Sequence, residues 1–336
     1  MLDEWRARLA AVPDVEVPLG DPVERAIDAT SSWLDSNDAT RLLRSDPYWP
    51  KWHGPWWQML ALHELGRADR IPRRIVDAMV EALAAFPLHT FPIKDEDWPP
   101  GADRRRHSMC HCALGCIDQV FAACGVDVDR ALPWVAPWFT RYQMADGGYN
   151  CDEGAYLVTA ECPSSMVGTI ALLEAMLRRG PSVACDRAAA MLVGRRLVEG
   201  SPTVYNAAER EAAQTWTATC FPRFYFYDVL RGAAALARWA VAHQRTLPSR
   251  AIEPAVNQLL VDAADGVVRI GRVAWYGKTT WIADDGWTER HPAAASELIE
   301  LCGRVGAPSA ALTAQWKQLR RDLLELIDAG RVERDL

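Results

Sequence analysis

Helical segments that recur in pairs, at a spacing of about sixty residues, are the strongest constraint on what this chain can fold into. Apolar residues return at three- and four-residue intervals over long windows, and few runs alternate with period two, so the chain reads as nearly all α. Five openings stand out: KWHGPWWQMLAL from 51, RHSMCHCALGC from 106, CPSSMVGTIALLEAML from 162, FYFYDVLRGAAALARWA from 224 and RHPAAASELIELC from 290. Measured from His53, Ser108, Ser164, Tyr225 and Pro292, the steps are 55, 56, 61 and 67 residues. Each step has room for two helices and their loops. The second helices are predicted at 72–86, 128–143, 183–199, 249–263 and 308–328, and 21–45 supplies at least one more helix, half of a sixth hairpin. Such hairpins stack either as an open solenoid or as a closed ring with one set of helices around a cavity.

Charge and composition remove several classes of function. With 44 acidic against 37 basic residues, a net charge of −7 and only four lysines, the chain lacks the clustered basic surface that nucleic acid requires. Arg104, Arg105 and Arg106 read as a solvated loop face. No run approaches the apolar length of a membrane span, and the first twenty residues do not read as a secretory signal, so the expected compartment is the cytosol. Nine cysteines, an odd number in a long chain, read mostly as free thiols. Motifs for a glycine-rich phosphate loop, a nucleophile elbow or a zinc-protease helix are absent.

Two loops after second helices place Asp-Gly at a helix stop, MADGGYNCDE and AADGVVRIGR. Asp146, Gly147, Gly148, Tyr149 and Asn150, with Gln143 upstream, resemble the Q…DGG(W/F) loop of the squalene cyclase and protein prenyltransferase repeats, part of the terpenoid cyclase superfamily. SSMVGTIALLEAM at 164–176 is similar to the inner helix that follows such a loop, and FPRFYFYDVLRG at 221–232 resembles helix openings in bacterial members. The resemblance spans roughly 50–330 in periodicity. It implies an α/α toroid of five to six hairpins over 21–330, with 1–20 as an N-terminal extension and 331–336 as a tail. It also implies an apolar or isoprenoid-like substrate, with cyclisation or prenyl transfer as the chemistry. The chain departs from the family in its acids. No Asp-x-Asp-Asp or Asp-Asp-x-x-Asp string occurs, Asp95, Glu96, Asp97, Asp284 and Asp285 being near misses, and the zinc pattern of the prenyltransferases is not found at matching positions.

Several constellations bear chemistry in their own right. His107, Cys110 and His111 stand at i, i+3 and i+4, on one helical face, and imidazole and thiolate are the ligands zinc favours; Cys151 and Asp152 are outside ligands for the same site. Read instead as packing, the nearby cysteines are small buried hydrophobes. Tryptophan supplies 15 of the aromatic residues, and Trp52, Trp56, Trp57, Tyr225, Tyr227, Trp275, Trp281 and Trp287 gather at the openings. They are either wedges between hairpins or an aromatic cavity wall suited to a polyene and a developing cation. Asp228 in an aromatic surround is a candidate acid or base, or an ion-pair partner of Arg231. His53 and His291, the latter beside Glu289 and Arg290, are further candidates, and Arg223, Arg272 and Lys278 are candidate anchors for a diphosphate or carboxylate. Ser164 and Ser165 read as helix caps.

Two other readings stand beside a divergent, metal-assisted cyclase or transferase. Helical barrels also host glycosidases and polysaccharide lyases, for which Asp146, Asp152, Glu153, Asp284 and Asp285 would supply paired carboxylates. A non-catalytic helical scaffold would leave the aromatics as packing.

Overall fold

The computed structural model describes residues 1–85, 111–276, 278–282, 289–292 and 295–333, with backbone alone at 279, 281, 282 and 289–292. Among them are fifteen α-helices. They are α1 (Leu2–Ala11), α2 (Asp21–Leu34), α3 (Asn37–Ser45), α4 (Pro55–Glu64), α5 (Arg73–Ala85), α6 (His111–Ala123), α7 (Val128–Ala131), α8 (Val135–Arg141), α9 (Met166–Arg179), α10 (Val183–Gly194), α11 (Ala208–Ala213), α12 (Val229–Ala242), α13 (Ser249–Asp262), α14 (Glu297–Cys302) and α15 (Ala310–Asp328). Side-chain caps define many of the starts. Ser36, Ser165, Ser182, Asp228 and Ser309 each accept a hydrogen bond from the backbone N–H three residues on, which satisfies a donor the first turn cannot. Ser165 caps α9 as expected, whereas Ser164 is tied elsewhere.

The helices divide by how they bury their faces. α4, α6, α9 and α12 are buried around most of their circumference, whereas α5, α10 and α13 carry a buried stripe with an exposed back. A helix buried all round belongs at the centre of a fold, a striped one at its edge. α4 packs on α6, α6 on α9, α9 on α12 and α12 on α15, and all five contribute side chains to one cavity. The predicted second helices at 72–86, 183–199 and 249–263 correspond to α5, α10 and α13. The span 128–143 is instead two short helices, because Pro133 removes a backbone donor and disfavours helix at the residue before it.

The ends of the chain depart from the sequence expectation. α15 lies on the cavity rather than behind it, and α14, which was to be the inner helix of the fifth hairpin, is a short element against α2 and α4. Residues 1–20 are more than an extension. α1 packs on α15, burying Leu2, Trp5 and Leu9, and Trp5 Nε1 donates to Asn257 on α13 at 2.9 Å. Near the other end, β1 (Leu247–Pro248) pairs in parallel with β4 (Val332–Glu333), within the span read as a tail, 331–336. A second short pair, β2 (Thr279–Ile282) with β3 (Glu289–Pro292), is antiparallel. No described helix is long and apolar enough to cross a membrane.

α6 and α9 approach closely because Gly115 has no side chain. A Cβ there would lie 2.5 Å from the carbonyl of Ala171 and 2.7 Å from the nitrogen of Leu172, both backbone atoms with little freedom to yield. Gly115→Ala is therefore expected to lower stability by about 1–3 kcal/mol despite alanine's better helix propensity, as an overpacked contact does. Urea denaturation would measure this, and an unchanged or raised midpoint would contradict the close α6–α9 contact.

Candidate functional site

The cavity lined by α4, α6, α9, α12 and α15 has a volume of about 220 Å³. Its wall consists of Leu60, His63 and Glu64 from α4, Cys116 and Gln119 from α6, Glu174 from α9, Arg231 and Arg238 from α12, and Ala311 and Gln315 from α15. Phe221, Arg223 and Phe224, in the segment before α12, complete it. Most of these groups are polar, where the sequence led us to expect an aromatic lining.

Two hydrogen-bonded networks hold the polar wall. In the first, Arg231 donates from Nε and Nη2 to Glu174 at 3.0 and 2.6 Å, and from Nη1 to the carbonyls of Phe224 and Phe226 at 3.1 and 2.8 Å. Gln119 Nε2 links the carbonyls of Gly115 and Ala171 and reaches Glu174 at 3.4 Å. In the second, Arg223 makes a two-pronged bond to Asp228, Nε to Oδ2 at 2.7 Å and Nη2 to Oδ1 at 3.0 Å, and its Nη1 donates to Gln315 at 2.6 Å. The backbone N–H of Arg223 donates to Glu64 Oε2 at 2.6 Å, so one segment positions both networks. Phe224, at a φ of +55°, and Trp52, at +74°, sit 5.1 Å apart in left-handed conformations uncommon for bulky residues. That turn directs the Phe224 carbonyl at Arg231.

The two cavity glutamates are driven in opposite directions. Burial pushes the Glu64 carboxyl up to about 7, and Arg231 and Arg223 only partly oppose it. Burial acts on Glu174 as well, but there Arg231, with Arg223 and Arg238, outweighs it and holds the carboxyl below its ordinary range. Burial lowers His63, leaving a neutral imidazole near pH 7, and no hydrogen bond from another described residue reaches that ring. Burial also raises the Cys116 thiol to about 12, which makes it a poor nucleophile. Groups whose surroundings separate their protonation states are the usual raw material of acid–base chemistry.

The residues singled out in the sequence fall mostly outside this cavity. Asp228, proposed as an acid or base, is completely buried: it caps α12, accepts from the N–H groups of Cys220 and Arg231, and is held ionised by Arg223 against the cost of burial. Its ion-pair partner is Arg223 rather than Arg231, whose own partner is Glu174. Trp52, Trp56 and Trp57 are buried packing groups. Trp52 meets Trp57, Tyr225, Phe226 and Trp275 ring to ring, and Trp57 Nε1 donates to the Tyr48 carbonyl. The Tyr227 hydroxyl donates to the Leu197 carbonyl at 2.8 Å. Arg272 is spent on the carbonyls of Ala218 and Tyr227, and Lys278 is exposed. His53, half-buried before α4, does not line the cavity. Trp281 and His291 lie in β2 and β3, and only their backbone is described.

Of the metal candidates, His111 and Cys151 fall in one neighbourhood, each meeting the chain neighbour of the other. His107 and Cys110 fall outside the described residues, as do Asp95, Glu96, Asp97, Asp284, Asp285, Trp287 and Arg104–Arg106. His111 is buried, its Nδ1 2.8 Å from the Asn150 carbonyl and 3.1 Å from the Tyr156 hydroxyl. Cys151 Sγ lies 3.2 Å from Cys112 Sγ, and Asp152 accepts from Tyr205 at 2.7 Å. Among the described residues no three His, Cys, Asp or Glu side chains form a metal-binding group.

The carboxylates reserved for a sugar site also have other duties. Asp146 accepts from Ser164 and from the Gly148 N–H, and Gln143 bridges the carbonyls of Gly147 and Ala184, so the Asp-Gly-Gly loop fastens α8, α9 and α10. Glu153 lies in a 3-10 turn over Glu153–Leu157.

Sequence reading missed Glu64, His63, Glu174, Gln119, Gln315 and Arg238. A signal was present: Glu64 ends PWWQMLALHE and Glu174 interrupts TIALLEAML, single carboxylates in largely apolar central helices. A charged residue in such a run needs a partner or a cavity. No family model, curated protein or solved structure matches this chain.

Proposed function

We propose that the protein is an acid–base enzyme that transforms a small polar molecule in the cavity between α4, α6, α9, α12 and α15. The observation that carries this reading is the pair Glu64 and Glu174 in one wall, the first holding a proton near neutrality and the second ionised. Glu64 acts as proton donor through the carboxyl that the Arg223 N–H positions, and the neutral His63 beside it in sequence accepts a proton. Glu174, tied to Arg231 and Gln119, stabilises positive charge that develops in the reacting molecule. The central helices are read as closing into an α/α toroid, which the packing of α1 on α15 and of α14 on α2 and α4 supports. Hydrolysis or elimination on a small sugar derivative fits a polar wall with a separated carboxylate pair.

The isoprenoid substrate implied by the resemblance to terpenoid cyclases is a second reading. Leu60, Phe221 and Phe224 favour it as an apolar patch of the same wall. A zinc centre at His107, Cys110 and His111, with Cys151 and Asp152, is a separate proposal, because neither His111 nor Cys151 lines this cavity.

Incubating the protein in D₂O with a panel of small sugars, sugar acids and isoprenoid diphosphates, followed by NMR, tests both readings together. We expect deuterium incorporation or a hydrolysis or elimination product from a polar member, lost by at least about a hundredfold in Glu64→Gln, the typical contribution of a general acid. Turnover of the diphosphates alone would favour the isoprenoid reading, and turnover indifferent to Glu64→Gln would remove the acid–base assignment.

A further inference from the structure

The three cavity arginines differ in what they are bonded to. Arg223 is matched to Asp228 and Arg231 to Glu174, each in a two-pronged pair. Arg238 lines the same cavity and remains exposed, and no hydrogen bond or ion pair with another described residue engages its guanidinium. Its charge is felt at Glu174 and at Asp322, yet neither makes a contact ion pair with it. Arg231 and Arg238 are seven residues apart on α12, hence on one face and about 10 Å apart along the axis. Between them run Gly232, Ala233, Ala234, Ala235, Leu236 and Ala237. The residues one turn from either arginine on that face are alanines, so α12 itself places no bulky group between the two guanidiniums.

We infer that the cavity takes a small organic anion, a carboxylate or a phosphate monoester, whose charged group is bound by Arg238 at the mouth while its other end reaches toward Glu64, Glu174 and Arg231. The inference rests on reading the cavity as a reaction site and names the class of molecule that enters it. A guanidinium presents paired donors that match a carboxylate or a phosphate, and one not already matched to a protein acid is available to a ligand. His63 and Gln315 add polar atoms to the same wall. Because Arg238 lies two turns from Arg231, the charged group serves as a handle removed from the reacting end.

Titration calorimetry with inorganic phosphate and, separately, with succinate tests this, using the wild type, Arg238→Gln, Arg238→Lys, Ala311→Leu and Glu64→Gln. We expect saturable binding of at least one anion, weakened about tenfold or more by Arg238→Gln, as loss of a charge-assisted hydrogen bond predicts. Arg238→Lys should recover part of the affinity, and Ala311→Leu, which adds bulk to the cavity wall from α15 and leaves Arg238 in place, should abolish it. Preference for phosphate or for succinate identifies the headgroup. A urea midpoint measured for each variant separates lost binding from lost folding. Absence of saturable binding to the wild type overturns the inference. So does equal binding by Arg238→Gln, or undiminished binding by Ala311→Leu, which would put the anion outside the cavity. If Glu64→Gln keeps both anion binding and turnover, the acid–base reading fails while the anion site stands.

Discussion

Arg231→Leu is expected to cost about 3–5 kcal/mol of folding stability, the usual result of removing one partner from a buried ion pair. Arg231 is only 5% exposed, and its side chain donates five hydrogen bonds. Its Nε and Nη2 neutralise Glu174, and its Nη1 satisfies the Phe224 and Phe226 carbonyls. A leucine would leave Glu174 hydrogen-bonded to Gln119 alone, at 3.4 Å, the Phe226 carbonyl without its side-chain donor, and the Phe224 carbonyl with only the weak Cys116 thiol at 3.6 Å. Burial, now unopposed by Arg231, would raise the Glu174 carboxyl, so the loss should be larger at pH 8 than at pH 5, where the carboxyl can take up a proton. Arg231→Lys should restore only part, because an ammonium cannot reach a carboxylate and two carbonyls with one planar fork. Adding Glu174→Gln to Arg231→Leu should recover stability relative to the single variant, since it removes the stranded charge. Urea denaturation of the four proteins measures each step, and a loss below about 1 kcal/mol for Arg231→Leu would mean the pair is solvated.

Glu64→Gln is expected to become more stable relative to the wild type as pH rises. Burial moves the Glu64 carboxyl from an ordinary 4.5 to about 7 in the folded protein. The folded state therefore binds this proton more tightly than the unfolded chain does. The associated stability is fully present below pH 4.5 and is lost as pH climbs through 7, because ionising a buried carboxyl is unfavourable. The glutamine variant has no proton to lose there. The shift corresponds to about 3 kcal/mol at most, with the variants level near pH 4 and separated above pH 8. Glu174 and Asp228 act with the opposite sign: both are held low by arginines, and their contribution is lost as pH falls through their folded values. Denaturation midpoints across that range, with carbon-13 titration of Glu64, measure the effect. A Glu64 titration near 4.5 would remove both the stability difference and the proton donor.

The helices were legible where local physics settles them. The spans now occupied by α5, α10 and α13 follow from the recurrence of apolar residues, and the Ser165 cap from its place ahead of the α9 run. Asp228 shows the limit of such reading. Its aromatic neighbours were plain, but whether desolvation or an arginine would govern its carboxyl depended on Arg223, five residues back, turning toward it through the left-handed Phe224. The tryptophans posed a similar choice. Nothing local distinguishes a cavity wall from a packing wedge, and Trp52 proved to be a wedge among five other aromatic rings.

By itself, the sequence determined a helical chain, the positions of most helices and their caps, because these depend on contacts within a few residues. Only the tertiary structure decided which groups share a cavity. Arg223 meets Glu64 across 159 residues of chain, and Arg231 meets Glu174 across 57. The central helices are buried on nearly every side, so no apolar stripe marks the face that a cavity will occupy. Glu64 and Glu174 acquire opposite protonation states only from the burial and the guanidiniums assembled around them.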